Sequence, residues 1–163
     1  MSRSKVLIAG VGNELRQDDA FGIEFVRYWT KRETPVDWIK IIEVGIGGIH
    51  LVQELHDGYD VLILVDAVEW GEIPGTIRFR RIESISDIAQ LPLHEKRAFL
   101  ADMHYTNPMR ALMLAKALSV LPGKVYILGC EAAAHDDFAI GMSQAVEQAI
   151  PKALVKLKKW LEL

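Results

Sequence analysis

The 163-residue sequence has one cysteine, no excess of positive charge and no long apolar run at its start. With Cys130 alone, no intramolecular disulfide can form, which is typical of a reducing compartment. The net charge of −3 argues against nucleic-acid or anionic-membrane partners, because both need a concentrated basic surface. The opening segment MSRSKVLIAGVGN has too few consecutive apolar residues for a signal peptide or a membrane span. We therefore expect a cytoplasmic protein that binds neither nucleic acid nor a membrane.

Several common catalytic and nucleotide-binding motifs are also missing. The dinucleotide pattern GxGxxG fails at Leu15, and neither a Walker GK[ST] nor a GxSxG serine elbow occurs. The segment HEKRA resembles the start of a zinc-protease helix, but Ala98 stands where the second histidine belongs. Cys130 ends an apolar run and is interpreted as a buried, inert thiol.

What the sequence does contain is an alternation of strand and helix patterns. Three almost wholly apolar runs, rich in β-branched residues, predict the centre of a parallel sheet: residues 6–9, 61–65 and 125–128. VDWIKIIEVG predicts another strand, and GTIRFRRI, which alternates apolar and arginine side chains, predicts an edge strand. Between these runs, apolar residues recur at helical spacing. A final predicted helix contains Pro151, which should kink the helix or mark a new start. We expect one α/β domain over residues 1–163, with helices on both faces of a five-stranded, mostly parallel twisted sheet.

Polar residues at the carboxyl ends of the strands are the first candidates for a functional site. Glu14 follows the first strand, and Asp66 ends the run VLILVD, where a buried unpaired acid would be costly. His104 lies in DMHYTNP, just before a helical pattern that Thr106 or Asn107 could cap. Two carboxylates and one imidazole match the ligands of a borderline divalent cation such as nickel or zinc.

Each candidate also has a purely structural interpretation. Glu14 could be a solvated loop acid, Asp66 could cap a backbone group, and His104 could be an ordinary surface histidine. Asp18 and Asp19 most simply stabilise the start of the following helix through its positive dipole end. The irregular stretch from residue 83 to 105 is a long connection, of a kind that is often functional or mobile.

Four segments carry a resemblance to a known family: VLIAGVGNELRQDDAFG, VLILVDAVEWG, MHYTNP and LGCEAAAHDDFAIGMSQAVEQAI. Together they resemble the hydrogenase maturation proteases, endopeptidases that process the large subunit of nickel-iron hydrogenases. The resemblance implies a three-layer α/β/α sandwich and, by motif position, nickel ligation by Glu14, Asp66 and His104. It also implies that the chain cuts a short C-terminal extension from the precursor large subunit after nickel insertion. We expect the chain to act as a monomer.

In this interpretation the substrate supplies the nickel, and the chain has no tightly bound metal of its own. Gly10 and Gly12 would let the partner's backbone come close to the first loop. Glu43 stands where the family often has aspartate, and it joins Asp66 as a candidate base for a water polarised near the metal. Ala20 also replaces a usual glycine.

Two other classes of function stay open at this point. A metal-dependent hydrolase acting on a small molecule would need an enclosed apolar pocket, whereas a protease of this kind needs an open groove. A non-catalytic metal-centre chaperone would bind the precursor without cutting it.

Overall fold

The computed structural model describes residues 3–45, 48–101, 107–133 and 138–163. Within these ranges, strands and helices alternate along the chain. The strands are β1 (Val6–Val11), β2 (Ile39–Gly45), β3 (Val61–Val68), β4 (Ile77–Arg81) and β5 (Lys124–Glu131). The helices are α1 (Phe21–Arg32), α2 (Gly48–Leu55), α3 (Leu93–Ala101), α4 (Pro108–Ala117) and α5 (Gln144–Leu161).

The five strands form one sheet in the order β2-β1-β3-β5-β4. All neighbouring pairs are parallel except β4 and β5, which are antiparallel. The three apolar runs of the sequence are the three central strands, and the arginine-alternating run is the edge strand β4, so both predictions are confirmed. An apolar run belongs at the centre because helices cover both faces of a strand there.

Two hydrophobic clusters cover the two faces of the sheet. Since side chains alternate along a strand, Val6 and Ile8 of β1 pack with α1 and α5. Leu7 and Ala9, between them in sequence, pack with α2 and α4 on the opposite face. The predicted three-layer α/β/α sandwich is therefore confirmed.

Two local expectations differ from the structure. The stretch from residue 83 to 105 is not irregular throughout, because it contains a 3-10 turn at Ile88–Gln90 and the helix α3. Of the α3 side chains that the structure describes, only that of Phe99 is buried, which explains why no apolar periodicity announced this helix. Helix α5 continues through Pro151, so this proline does not mark a new start. No helix within the described ranges is long and apolar enough to cross a membrane.

Tight packing fixes the start of α1 against the ends of β1 and β3. A Cβ atom on Gly22 would lie 2.1 Å from the carbonyl oxygen of Val65, so no other residue fits there. Gly12, at φ +144°, would place a Cβ atom 1.9 Å from the carbonyl oxygen of Asp19. The close approach that Gly10 and Gly12 were expected to offer a partner is thus made within the chain, since a Cβ on Gly10 would meet the Gly22 carbonyl at 2.3 Å.

Candidate functional site

Asp66 lies near the carboxyl end of β3, at the edge where the parallel strands end. By alternation it takes the same side of the strand as Leu62 and Leu64, which is the side covered by α2 and α4. Its side chain is half-buried. Burial raises the pKa of this carboxyl well above its ordinary value, the negative charge of Asp19 raises it further, and a hydrogen bond from the backbone of Ala67 opposes both effects. Asp66 therefore combines a backbone contact, as in the capping interpretation, with a second acid beside it.

Asp19, which the sequence indicated only as an acid that stabilises a helix end, lies beside Asp66. It lies in the 3-10 turn Gln17–Ala20, which leads directly into α1, and it is half-buried. The glycine contacts described above hold this turn against the end of β3, so that the two carboxylates lie close enough for the charge of Asp19 to act on Asp66. Two acids whose negative charges oppose one another at a strand end form a place where a cation would be stabilised.

Glu14 has a different environment from the one predicted for a metal ligand. Its carboxylate accepts a hydrogen bond from Arg27 Nη2 at 2.7 Å, and its side chain is 51% exposed. This hydrogen bond holds the pKa of Glu14 below its ordinary value. In this structure Glu14 thus faces a cation supplied by α1.

Glu43 shares the same arginine. Arg27 donates from Nε to Glu43 Oε1 at 2.9 Å and from Nη2 to Oε2 at 3.0 Å, and it also contacts Glu24 at 3.1 Å. These carboxylates raise the pKa of Arg27, and the hydrogen bond that Arg27 donates to Glu14 contributes most. Arg27 therefore gathers three acids, which we call the Arg27 cluster: Glu14, Glu24 and Glu43.

The strand register relates these two groups of acids. Gly10 of β1 pairs with Glu43 on one side and with Val65, the neighbour of Asp66, on the other. Two strand spacings, about 10 Å, therefore separate the backbones of β2 and β3 at this level. The structure brings the predicted acids to one edge of the sheet but divides them into the Arg27 cluster and the Asp19–Asp66 pair.

The predicted histidine, His104, lies outside the described residues. The helix that follows it is α4, whose N-cap is Asn107, and the side chain of Asn107 accepts a hydrogen bond from Met109 N at 3.0 Å. This confirms one of the two predicted caps. Within the part of the chain that the structure describes, no group of three or more His, Cys, Asp or Glu side chains is arranged to hold a metal ion.

Asp18 lies in the first turn of its short helix, as predicted, and its carboxylate also binds a distant segment of the chain. It is fully buried and accepts hydrogen bonds from Ala133 N at 2.8 Å, Ser143 N at 2.6 Å and Ser143 Oγ at 2.9 Å. Asp18 thereby fixes both ends of the segment that connects β5 to α5. The two adjacent acids, Asp18 and Asp19, were a signal of this burial in the sequence. Successive side chains of a turn point in different directions, so one of the two can face the interior.

A cavity of about 460 Å³ lies far from these acids. It is lined by the end of α1, the beginning of β2 and the C-terminal Leu163, at the opposite edge of the sheet. The enclosed apolar pocket that a small-molecule enzyme would need at the acids is therefore not this cavity.

Comparisons with known proteins agree with one another. A family model described as hydrogenase maturation protease matches residues 23–160. The hydrogenase expression/formation protein HupM of Azotobacter chroococcum is 30% identical over 153 residues, which cover 94% of this chain and 69% of that protein. The solved structure of the hydrogenase maturating endopeptidase HybD from E. coli has a TM-score of 0.76 at 25% identity, covering 97% of this chain and 92% of that one. The hydrogenase 2 maturation peptidase of a Thaumarchaeota archaeon has a TM-score of 0.70 at 29% identity, covering 98% and 99%.

Proposed function

The chain belongs to the hydrogenase maturation protease family, and we propose that it removes a short C-terminal extension from the precursor large subunit of a nickel-iron hydrogenase. The observation that carries this proposal is the match of residues 23–160 to the maturation protease family, and the acids Asp19 and Asp66 lie at the carboxyl edge of the sheet. Open α/β sheets form their sites at this edge. The names of the related proteins support a hydrogenase as the source of the substrate.

Within this proposal, Asp66, His104 and one acid from residues 14–19 bind nickel that the precursor already holds. Motif position gives this third role to Glu14. Because Glu14 is paired with Arg27 in this structure, we propose Asp19, whose charge acts on Asp66, as the alternative. Carboxylates and imidazole are suitable ligands for nickel. His104 precedes α4, which covers the same face of the sheet that Asp66 takes, and this order along the chain supports its inclusion.

The proposed reaction is hydrolysis of one peptide bond. A carboxylate of the pair takes a proton from water while the water oxygen bonds to the scissile carbonyl carbon. The carbon–nitrogen bond then breaks, and the proton passes to the leaving amine. Asp66 is the candidate for this role because it lies half-buried near the carboxyl end of β3, beside the charge of Asp19. Glu43 is less suited, since Arg27 already binds both of its oxygens.

The test is to offer the purified chain two precursors, one loaded with nickel and one without, with a chelator present to remove free ions. We expect mass spectrometry to find the shortened product only from the loaded precursor. Equal cleavage of both would contradict recognition of substrate-held nickel. Binding without any cleavage would favour the chaperone alternative, and tightly bound zinc in the purified chain would favour an ordinary metallopeptidase.

The proposal includes a cytoplasmic monomer as the acting form. The single cysteine supports the location. Sedimentation of the purified chain, alone and mixed with precursor, tests whether one copy acts on one large subunit.

A further inference from the structure

Three large apolar side chains next to the first loop are strongly exposed. Leu15 is 51% exposed, Phe138 84% and Ile140 86%. They are neighbours because the backbone of Ala139 is hydrogen-bonded to both sides of Arg16. We call this surface the apolar ledge, consisting of Leu15 and residues 138–140. Contiguous apolar side chains at such exposure are typical of a surface that binds another molecule.

The backbone of the apolar ledge forms an isolated parallel bridge with the first loop, between Ala139 and Arg16. Ala139 N–H donates to Leu15 C=O at 3.0 Å, and Gln17 N–H donates to Ala139 C=O at 3.0 Å. The N–H and C=O groups of one trans peptide unit point in opposite directions, so the C=O of Phe138 and the N–H of Ile140 point away from the first loop. Within the described part of the chain, neither residue has a backbone hydrogen-bond partner. Such an edge can accept a further strand.

Hydrogen bonds to Asp18 anchor the chain on both sides of the apolar ledge. Asp18 binds Ala133 before the ledge and Ser143 after it, through a carboxylate that is fully buried. Backbone groups that are already hydrogen-bonded lose less conformational entropy when a partner binds, and those of Ala139 and Ser143 are held in this way.

We propose that the apolar ledge binds an extended, apolar segment of the precursor polypeptide, which adds a strand to the open edge. This inference rests on the proposed function, because a peptidase of this family must position a stretch of polypeptide at its acids. Asp19 lies three positions after Arg16, which is at most about 10 Å of chain. Three or four extended residues of substrate are enough to cover that distance from the ledge to the Asp19–Asp66 pair.

The experiment measures cleavage of nickel-loaded precursor by Phe138→Ser and Ile140→Ser, singly and together. Both side chains are almost fully exposed, so we expect unchanged thermal unfolding. We expect KM to rise about tenfold in the double variant, with kcat within about twofold, because apolar contacts with the bound segment are lost in both ground and transition states. The matched control is Val155→Ser, which is 69% exposed on α5 and lies about 18 Å along the helix from its N-cap.

A third variant isolates the backbone contribution. Ile140→Pro removes the outward N–H of residue 140 while the hydrogen bonds of Ala139 stay possible, because the residue before a proline favours the extended conformation. We expect its KM to exceed that of Ile140→Ser at equal thermal stability. Equal KM values for these two variants would overturn the addition of a strand.

The remaining outcomes separate this inference from the proposed function. If the unchanged chain cuts the precursor and the double variant does so with the same KM, the ledge is not a docking surface, while the proposed function stands. If the unchanged chain cuts no loaded precursor, both are overturned. If it sediments as a dimer that Phe138→Ser converts to a monomer, a second copy occupies the ledge and the inference is wrong.

Discussion

The carboxylate of Asp18 binds both donors of Ser143, the backbone N–H at 2.6 Å and the hydroxyl at 2.9 Å. The two residues are 125 positions apart, and the contact joins the first loop to the segment before α5. Because Asp18 precedes Asp19 directly, the contact also fixes the turn that carries half of the Asp19–Asp66 pair. Asp18 thus helps to hold the turn that carries one acid of the candidate site.

We expect Asp18→Asn to lower the free energy of unfolding by about 1–3 kcal/mol, because one of the bound N–H or O–H groups then meets an NH₂ group instead of an acceptor. Urea denaturation measures this change. Ser143→Ala serves as the control, since it removes one of the three described hydrogen bonds and should cause a loss of about 0.5–1.5 kcal/mol. Equal stability of Asp18→Asn and the unchanged protein would show that the contact is not important for the fold.

Most of the fold could be predicted because its signals are local. The apolar runs that became β1, β3 and β5 contain no charged side chain, so the sheet centre accommodates them best. The helix α3 could not be predicted, since nearly all of its described side chains face solvent and carry no periodic pattern. Local pattern therefore predicts buried elements better than exposed ones.

The candidate site divides in the same way. Asp66 could be found from the sequence, because an acid at the end of an apolar run stands at a strand end. Its neighbour Asp19 could not, since their proximity depends on the packing of Gly22 against β3. The pairing of Glu14 with Arg27 also joins residues that no local pattern relates, as their contact depends on the direction in which α1 leaves the loop.

Asp66→Asn should separate chemistry from stability. The substitution keeps the shape of the side chain and removes its negative charge. Burial and the charge of Asp19 both oppose ionisation of this carboxyl. We expect the free energy of unfolding to stay within about 1 kcal/mol of the original, or to rise. The rate of precursor cleavage should fall at least about 100-fold. A variant that unfolds while the remaining folded fraction still cuts would instead support the capping interpretation of Asp66.

Cys130 should be inert in the folded protein. Its side chain is fully buried, and burial raises its pKa to about 12, with the charges of Asp18 and Glu131 adding to the effect. At about pH 8, roughly a quarter of an ordinary thiol is ionised, against about one in 10⁴ for this one. We expect alkylation by iodoacetamide to be about 1000-fold slower in the folded chain than in denaturing urea.

The raised pKa of Cys130 lowers the stability of the fold at alkaline pH. As the pH rises from about 8.5 towards 12, the unfolded chain loses its thiol proton while the folded chain keeps it, so this thiol lowers stability in that range. Cys130→Ala should therefore lose less stability across this range than the unchanged protein, as measured by urea titrations at increasing pH. It should still cut the precursor. Rapid alkylation of the folded chain, or loss of cleavage in Cys130→Ala, would contradict an inert thiol.

Pro151→Ala should stabilise the protein. Pro151 is exposed inside α5 and has no N–H to donate to the carbonyl of Glu147, one turn earlier. We expect the free energy of unfolding to rise by about 1–3 kcal/mol, measured by thermal denaturation. Val155→Ala, exposed on the same helix, is the control and should gain no more than about 0.6 kcal/mol. A loss of stability in Pro151→Ala would mean that the helix is adapted to the proline, with a bend that the packing of α5 requires.

The comparison of Glu14→Gln with Asp19→Asn decides which acid of the first loop takes part in the reaction. In the structure Glu14 pairs with Arg27, which keeps Glu24 and Glu43 as partners when Glu14 is neutralised. We therefore expect Glu14→Gln to reduce cleavage of the loaded precursor by no more than about tenfold. Asp19→Asn removes the acid beside Asp66 and should reduce it at least about 100-fold, with unchanged or higher stability.

Both substitutions keep the volume of the side chain and remove one negative charge from the same short loop. A difference in cleavage rate between them therefore reports the position of the carboxylate, and not the charge of the loop. If the order is reversed, with Glu14→Gln inactive and Asp19→Asn active, Glu14 is the nickel ligand that motif position implied. Glu14 would then have to leave Arg27 when the precursor binds, and Arg27→Met, which removes its partner, would be expected to increase the affinity for the loaded precursor.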